Sequence, residues 1–217
     1  MRVARMAATV ALAALVAAPL APASAAPGVS AAQAAAGLVD VRTAVPDAII
    51  DMRYATAQNF VGVQLYPTGA RCLVNRSMAS GLKTAADGLR KQGRKLVFWD
   101  CYRPHSVQVR MFQKVPNPTF VAKPGDYSRS HETGRSVDAT LADSNGKLID
   151  MGTGFDDFSA RAGAFATSDV SATQQANRSA LRSAMSAGGL SPYSGEWWHF
   201  DGPGAGVDRP IVDVPVT

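Results

Sequence analysis

The stretch Ser136–Ala142 constrains the fold most strongly. Val137, Ala139 and Leu141 alternate with Asp138 and Thr140, and side chains on a strand point to opposite faces every second residue. This is a strand with one apolar and one polar face. The Ser144-Asn145-Gly146 stretch that follows is a hairpin turn signal, because Asn-Gly accepts the positive φ angles such a turn needs. Lys147–Met151 is then expected as the return strand, giving an antiparallel pair. If the apolar face meets helices, Asp138 faces the other side, which is left open for a cleft.

Other segments supply the helices. Ser77 can cap a helix running to Gln92, with Met78, Leu82, Ala85, Ala86 and Leu89 on one face and Gly93 as its stop. Lys95–Cys101 reads as a strand. Pro104 suits the first position of a helix to Lys114. Residues 115–130 hold three prolines and read as loop, and residues 152–170 are irregular. A last helix spans 172–188, with Ala180, Leu181 and Met185 inward, and Trp197–Asp201 is a last strand. The expected class is α+β: a small, largely antiparallel sheet with helices packed on one face.

The N-terminus sets the compartment. Arg2 and Arg5 precede the apolar run Met6–Leu20, and Ala23-Ser24-Ala25 is a small-x-small cleavage site. Residues 1–25 thus have the pattern of a secretory signal peptide, too short for a comfortable membrane span, with a single uncleaved N-terminal anchor as the alternative. Removal of the signal peptide leaves 192 residues, lowers the formal charge from +5 to +3 and leaves no stable membrane anchor. Residues 26–38 are expected as a flexible tether, and 39–217 as one domain. Scattered cations totalling +3 are no nucleic-acid footprint. In an oxidising compartment the only two cysteines, Cys72 and Cys101, are expected to form a disulfide; the alternative is a reactive or metal-binding thiol at Cys101.

Three segments carry chemistry. Ser130-His131 with Asp138, and Glu196-Trp197-Trp198-His199, together offer two histidines and a carboxylate, a Zn²⁺ ligand set with a fourth position for water. Arg103, in Trp99-Asp100-Cys101-Tyr102-Arg103-Pro104, offers a bidentate donor for a developing oxyanion, or else a structural pair with Asp100. Glu196 and His199 are three apart, which a regular strand would place on opposite faces. A bulge is therefore expected, or a strand beginning after Glu196. Trp197 and Trp198 are expected to point one to the core and one toward the cleft, with plain core packing of each as the alternative. The remaining histidine, His105, is expected on a helix surface.

With Asp51-Met52-Arg53-Tyr54-Ala55-Thr56, Asn59-Phe60, Gly62, Gly134, Met151-Gly152 and Phe155-Asp156, these pieces resemble the D-alanyl-D-alanine dipeptidases (VanX type). That family belongs to the wider D,D-carboxypeptidase and hedgehog-like fold group of zinc peptidases. The match runs in family order from residue 45 to 203. The resemblance implies one Zn²⁺ per chain held by His131, Asp138 and His199 in a cleft opposite the helices. It implies Glu196 as general base toward zinc-activated water, and Arg103 at the oxyanion. It implies Asp156, Ser130 and Tyr54 at the substrate's ammonium end. The implied activity is hydrolysis of D-Ala-D-Ala or similar small dipeptides; it is the leader, not the resemblance, that makes a secreted, extracytoplasmic enzyme the expectation. A D,D-carboxypeptidase or endopeptidase acting on peptidoglycan stem peptides is the alternative, and a non-catalytic zinc or wall-binding module is a third class.

Overall fold

A computed structural model describes residues 28–217; the proposed signal peptide lies outside the described residues. The central sheet has five strands: β2 (Ile49–Ile50), β4 (Arg94–Asp100), β5 (Ser136–Asp143), β6 (Ser191–Pro192) and β7 (His199–Asp201). Their spatial order is β2-β4-β5-β7-β6, antiparallel except for the β2–β4 pair. A second, two-stranded sheet pairs β1 (Leu38–Asp40) with β3 (Leu73–Asn75). The expected α+β class with a largely antiparallel sheet is the observed one.

The period-2 pattern of β5 decides the layering. Leu96 pairs with Leu141 and Phe98 with Ala139, so these four share one buried face. Helix α2 (Ala79–Arg90) packs on β4, and α4 (Ala172–Ala187) packs on α2. Leu82, Ala85, Ala86 and Leu89 are the buried stripe of α2, at the i, i+3, i+4, i+7 spacing. The two helices meet at Gly81 and Gly188, where a Cβ on either would lie 2.2–2.3 Å from the other's carbonyl oxygen. Only glycine allows that approach. Helix α3 (His105–Lys114) stands instead at the rim of the opposite face.

Five expectations change. Ser77 does not cap the helix: it lies inside a 3₁₀ turn, Arg76–Met78, that leads into α2, and Asn75 caps that turn by accepting from the Ser77 amide. Residues within 26–38 do not form a tether: Ser30 and Gln33 make a capping box on α1 (Ala31–Ala35). The buried Gln33 amide donates to the carbonyls of Pro215 and Thr217, docking this alanine-rich turn onto the C-terminal segment. The return strand Lys147–Met151 shrinks to one bridge, Ala142 to Leu148. Its backbone is diverted to α4, where Asn177 Nδ2 donates to the Asp150 carbonyl and Arg178 Nε to that of Met151. Trp197 and Trp198 both pack in the core, the alternative reading, and neither lines the cleft beside Asp138. His105 is only partly exposed and is not a free surface residue: its Nδ1 lies 2.7 Å from Glu132 Oε1, tying the start of α3 to the turn that carries His131. Among the described residues no helix is long and apolar enough to cross a membrane.

Cys72 and Cys101 form a disulfide, with Cα atoms 5.2 Å apart. It joins the edge of β3 to the end of β4 across 29 residues. A crosslink of that span contributes about 3 kcal/mol by restricting the unfolded chain. The double variant Cys72→Ala/Cys101→Ala is therefore expected to melt roughly 6–12 °C lower. A calorimetric scan that finds no drop would assign the bridge no stabilising role.

Candidate active site

The site is assembled where β4, β5 and β7 end beside the turn Ser130–Thr133. Gly134 ends that turn at φ +66°, and a Cβ there would lie 2.8 Å from the Asn75 backbone nitrogen. The left-handed, uncluttered backbone at Gly134 lets the chain reverse from the turn into β5. The reversal brings His131 above Asp138, which sits directly opposite His199 in the β5–β7 register.

His131 Nε2, Asp138 Oδ1 and His199 Nδ1 converge. The carboxylate oxygen lies 3.4 Å from the first nitrogen and 3.1 Å from the second, and the two nitrogens are 3.2 Å apart. Among the described residues this is the one group of three His, Cys, Asp or Glu side chains with the spacing to hold a metal ion. The far side of each ring is engaged. His131 Nδ1 donates to the Cys101 carbonyl at 2.8 Å, and His199 Nε2 lies 3.1 Å from Asp201 Oδ1. Such outer partners fix the tautomer that leaves the inner nitrogen as a ligand. Asp201 accepts in turn from Ser136 Oγ, which accepts from Ser130 Oγ at 2.8 Å.

Charge in the site is arranged for a cation. Burial alone would lower the His199 imidazole, but hydrogen bonds to Asp138 and Asp201 outweigh it and push it up to about 10. A metal ion competes with a proton for such a nitrogen. The donor set, two imidazoles and a carboxylate with their outer faces already bonded, fits Zn²⁺.

Around this group opens a cleft of about 450 Å³. Glu196, Arg103, Asp156, Tyr54 and Ser130 line it together with the three convergent side chains, so every residue expected at the site reaches it. Glu196 precedes β7 in a turn, which resolves the spacing problem with His199: the strand begins only at His199. Its Oε2 lies 3.9 Å from His199 Nδ1. Burial, with Asp138 nearby, raises the Glu196 carboxyl above its usual range.

Arg103 is held from behind. Its Nε and Nη2 donate to Asp100 Oδ2 at 3.1 and 2.6 Å, and its Nη1 donates to Gln108 at 2.7 Å. That leaves two of its five N–H donors for the cleft. Fully buried Asp100 also accepts from Tyr66 Oη and the Cys101 amide, so the structural pair and the cleft position coexist. The Arg103 guanidinium lies 5.4 Å from the Tyr54 ring centre. Tyr54 Oη donates to Asp156 Oδ2 at 2.9 Å. Asp156 stands at φ +54°, and burial with the nearby Asp138 carboxylate pushes its carboxyl up to about 8. An arriving ammonium group would restore its charge.

Sequence reasoning missed the outer partners. Asp201 lies two residues after His199 on the same strand, a spacing that puts both side chains on one face and was a usable signal. The Cys101 carbonyl had no such signal, since a backbone acceptor leaves no mark in residue type.

The family model described as D-ala-D-ala dipeptidase (Peptidase_M15) matches residues 34–217. The D-alanyl-D-alanine dipeptidase of Escherichia coli (strain K12) is 36% identical over 168 residues, 77% of this chain and 86% of that protein. The D-alanyl-D-alanine dipeptidase of Enterococcus faecium is 30% identical over 170 residues, 69% of this chain and 83% of that protein. Among solved structures, the LdcB LD-carboxypeptidase aligns with a TM-score of 0.45 and 20% identity, over 85% of this chain and 72% of that one.

Proposed function

The chain belongs to the D-Ala-D-Ala dipeptidase family of peptidases, and from that premise we propose that it is an exported, zinc-dependent dipeptidase acting on D-Ala-D-Ala or a similar small free dipeptide. The observation that carries this reading is the joint arrangement in one cleft. The His131, Asp138 and His199 ligand atoms, Glu196 and the free face of Arg103 share it with a buried carboxylate, Asp156, suited to an ammonium group. Export is supported by the leader pattern of residues 1–25 and by a disulfide, a bond favoured in oxidising compartments.

His131, Asp138 and His199 would hold the zinc ion, one per chain. When bound, zinc supplies a Lewis acid that polarises the scissile carbonyl and makes water available as a nucleophile near neutral pH. Glu196 takes one proton from the attacking water as its oxygen bonds to the carbonyl carbon. It returns that proton to the leaving nitrogen as the C–N bond breaks, so that one water is consumed and two amino acids are released. The two remaining Arg103 N–H groups bind the carbonyl oxygen as it gains negative charge. The Asp156 carboxylate, oriented by Tyr54, pairs with the substrate's ammonium group. Ser130 contributes acceptor lone pairs beside it and, through Ser136 and Asp201, helps orient His199.

The test is amino-acid release by the mature protein after chelation, with and without added zinc. Free D-Ala-D-Ala and an N-acetylated peptide ending in D-Ala-D-Ala serve as parallel substrates. Cleavage of the free dipeptide, lost on chelation and restored by zinc, is the expected result. Cleavage of the blocked peptide in its place would move the enzyme to the stem-peptide carboxypeptidase reading, and undiminished turnover after metal removal would end the zinc role.

A further inference from the structure

Three phenylalanines on three separate loops meet at the ammonium end of the cleft. Phe120 and Phe158 stack with ring centres 4.4 Å apart and planes 23° from parallel. Phe158 meets Phe60 edge-on at 5.1 Å, and Phe60 meets Tyr54 edge-on at 6.3 Å. Tyr54 carries the hydroxyl bonded to Asp156. The rings therefore run in an unbroken row from the ammonium anchor to Phe120, and both Phe60 and Phe120 line the cleft.

Each ring sits on a loop braced by its own side chain–backbone bonds. Asn59 Oδ1 accepts from the amides of Val61 and Gly62, Asn117 Oδ1 from that of Thr119, and Asp157 Oδ1 from that of Ser159. The row is thus preset, which keeps the ordering cost of the wall low when substrate binds. Burial does not explain it: Phe120 is 42% exposed and Phe158 38% exposed. An exposed aromatic pair that continues through half-buried Phe60 into the wall of a cleft marks a surface with a task.

From this we infer that Phe60, Phe120 and Phe158 set the length of substrate the enzyme accepts. Phe60 and Phe120 line the cleft that Asp156 also lines, and Phe158 packs behind both, so a free ammonium group fits and an acylated nitrogen with more chain behind it does not. The inference rests on the dipeptidase reading and assigns its selectivity to these rings. Two effects exclude a longer peptide. Its extra residues meet the ring row, and its neutral amide leaves the Asp156 carboxylate without a cation. The first depends on ring volume and the second does not.

The experiment removes ring volume alone. Phe120→Ala, Phe158→Ala and the double variant are assayed on free D-Ala-D-Ala and on an N-acetylated peptide ending in D-Ala-D-Ala, with Phe120→Leu as a graded control. The readout is the ratio of kcat/KM for the blocked substrate to that for the free one, which cancels any general loss of activity. Melting temperatures check that the variants fold. The ratio is expected to rise about ten-fold or more in the double variant, and less in Phe120→Leu. A wild type restricted to the free dipeptide, with a double variant whose ratio is unchanged, would overturn the role of the rings and leave the dipeptidase reading intact. A wild type that already cleaves both substrates equally would overturn the rings and the dipeptide restriction together.

Discussion

Glu196→Gln is expected to cut kcat by ~10²–10⁴-fold while leaving the fold and zinc content unchanged. The amide keeps the size of the carboxylate but cannot take a proton from water or return it to the leaving nitrogen. Position makes the loss large. Glu196 lines the same cleft as His131, Asp138 and His199, and its carboxyl is raised by burial and by the Asp138 charge, which brings its proton affinity nearer to the working range of a shuttle. KM should move much less than kcat, because in the proposed mechanism the substrate's ammonium group is held by Asp156 and not by Glu196. Turnover and zinc per chain are the two measurements. A variant that keeps zinc and hydrolyses at the wild-type rate would remove Glu196 from the mechanism.

The second large effect concerns Asp100, which touches no substrate. Asp100→Asn replaces a fully buried carboxylate that accepts from Arg103, Tyr66 and the Cys101 amide. Removing one charge of a buried pair leaves the other uncompensated, at about 3–5 kcal/mol. For a domain of this size that corresponds to a melting temperature roughly 6–20 °C lower. The variant should also lose kcat/KM, because the guanidinium is then free to turn away from the cleft. Arg103→Lys should share the activity loss, since a single ammonium cannot keep Asp100 and Gln108 occupied and still present two donors. Wild-type stability in Asp100→Asn would mean that Arg103 is solvated and not dependent on its partner.

The parts of this architecture that were legible in the sequence share a cause. The β5 strand, the α2 stripe and the stops at Gly93 and Gly188-Gly189 are local, periodic or dictated by backbone geometry, and the structure has each of them, although β5 is buried on both faces. The residues expected at the site were found by motif and do line one cleft. What escaped depends on contacts between distant segments. Residues 28–38 have no apolar period, yet Gln33 docks them onto carbonyls more than 180 residues away. The Trp197-Trp198 pair reads as an alternating strand, but the segment is a turn in which both indoles find aromatic partners: Trp99 for one and Phe155 for the other. The three cleft phenylalanines come from positions 60, 120 and 158, a grouping that no window along the chain could contain.

That same Trp pair separates the proposed proton shuttle, Glu196, from a proposed zinc ligand, His199. Between Glu196 and His199 the chain passes through two fully packed indoles, so the spacing of the two functional side chains is set by the interior and not by the flexibility of a surface turn. Residues so anchored belong to the cooperative unit that opens only with the whole molecule. Heating should then leave the catalytic geometry nearly constant up to the transition and abolish it there in one step. A peptidase built this way is either intact or unfolded, with little room for a half-active, loosened form.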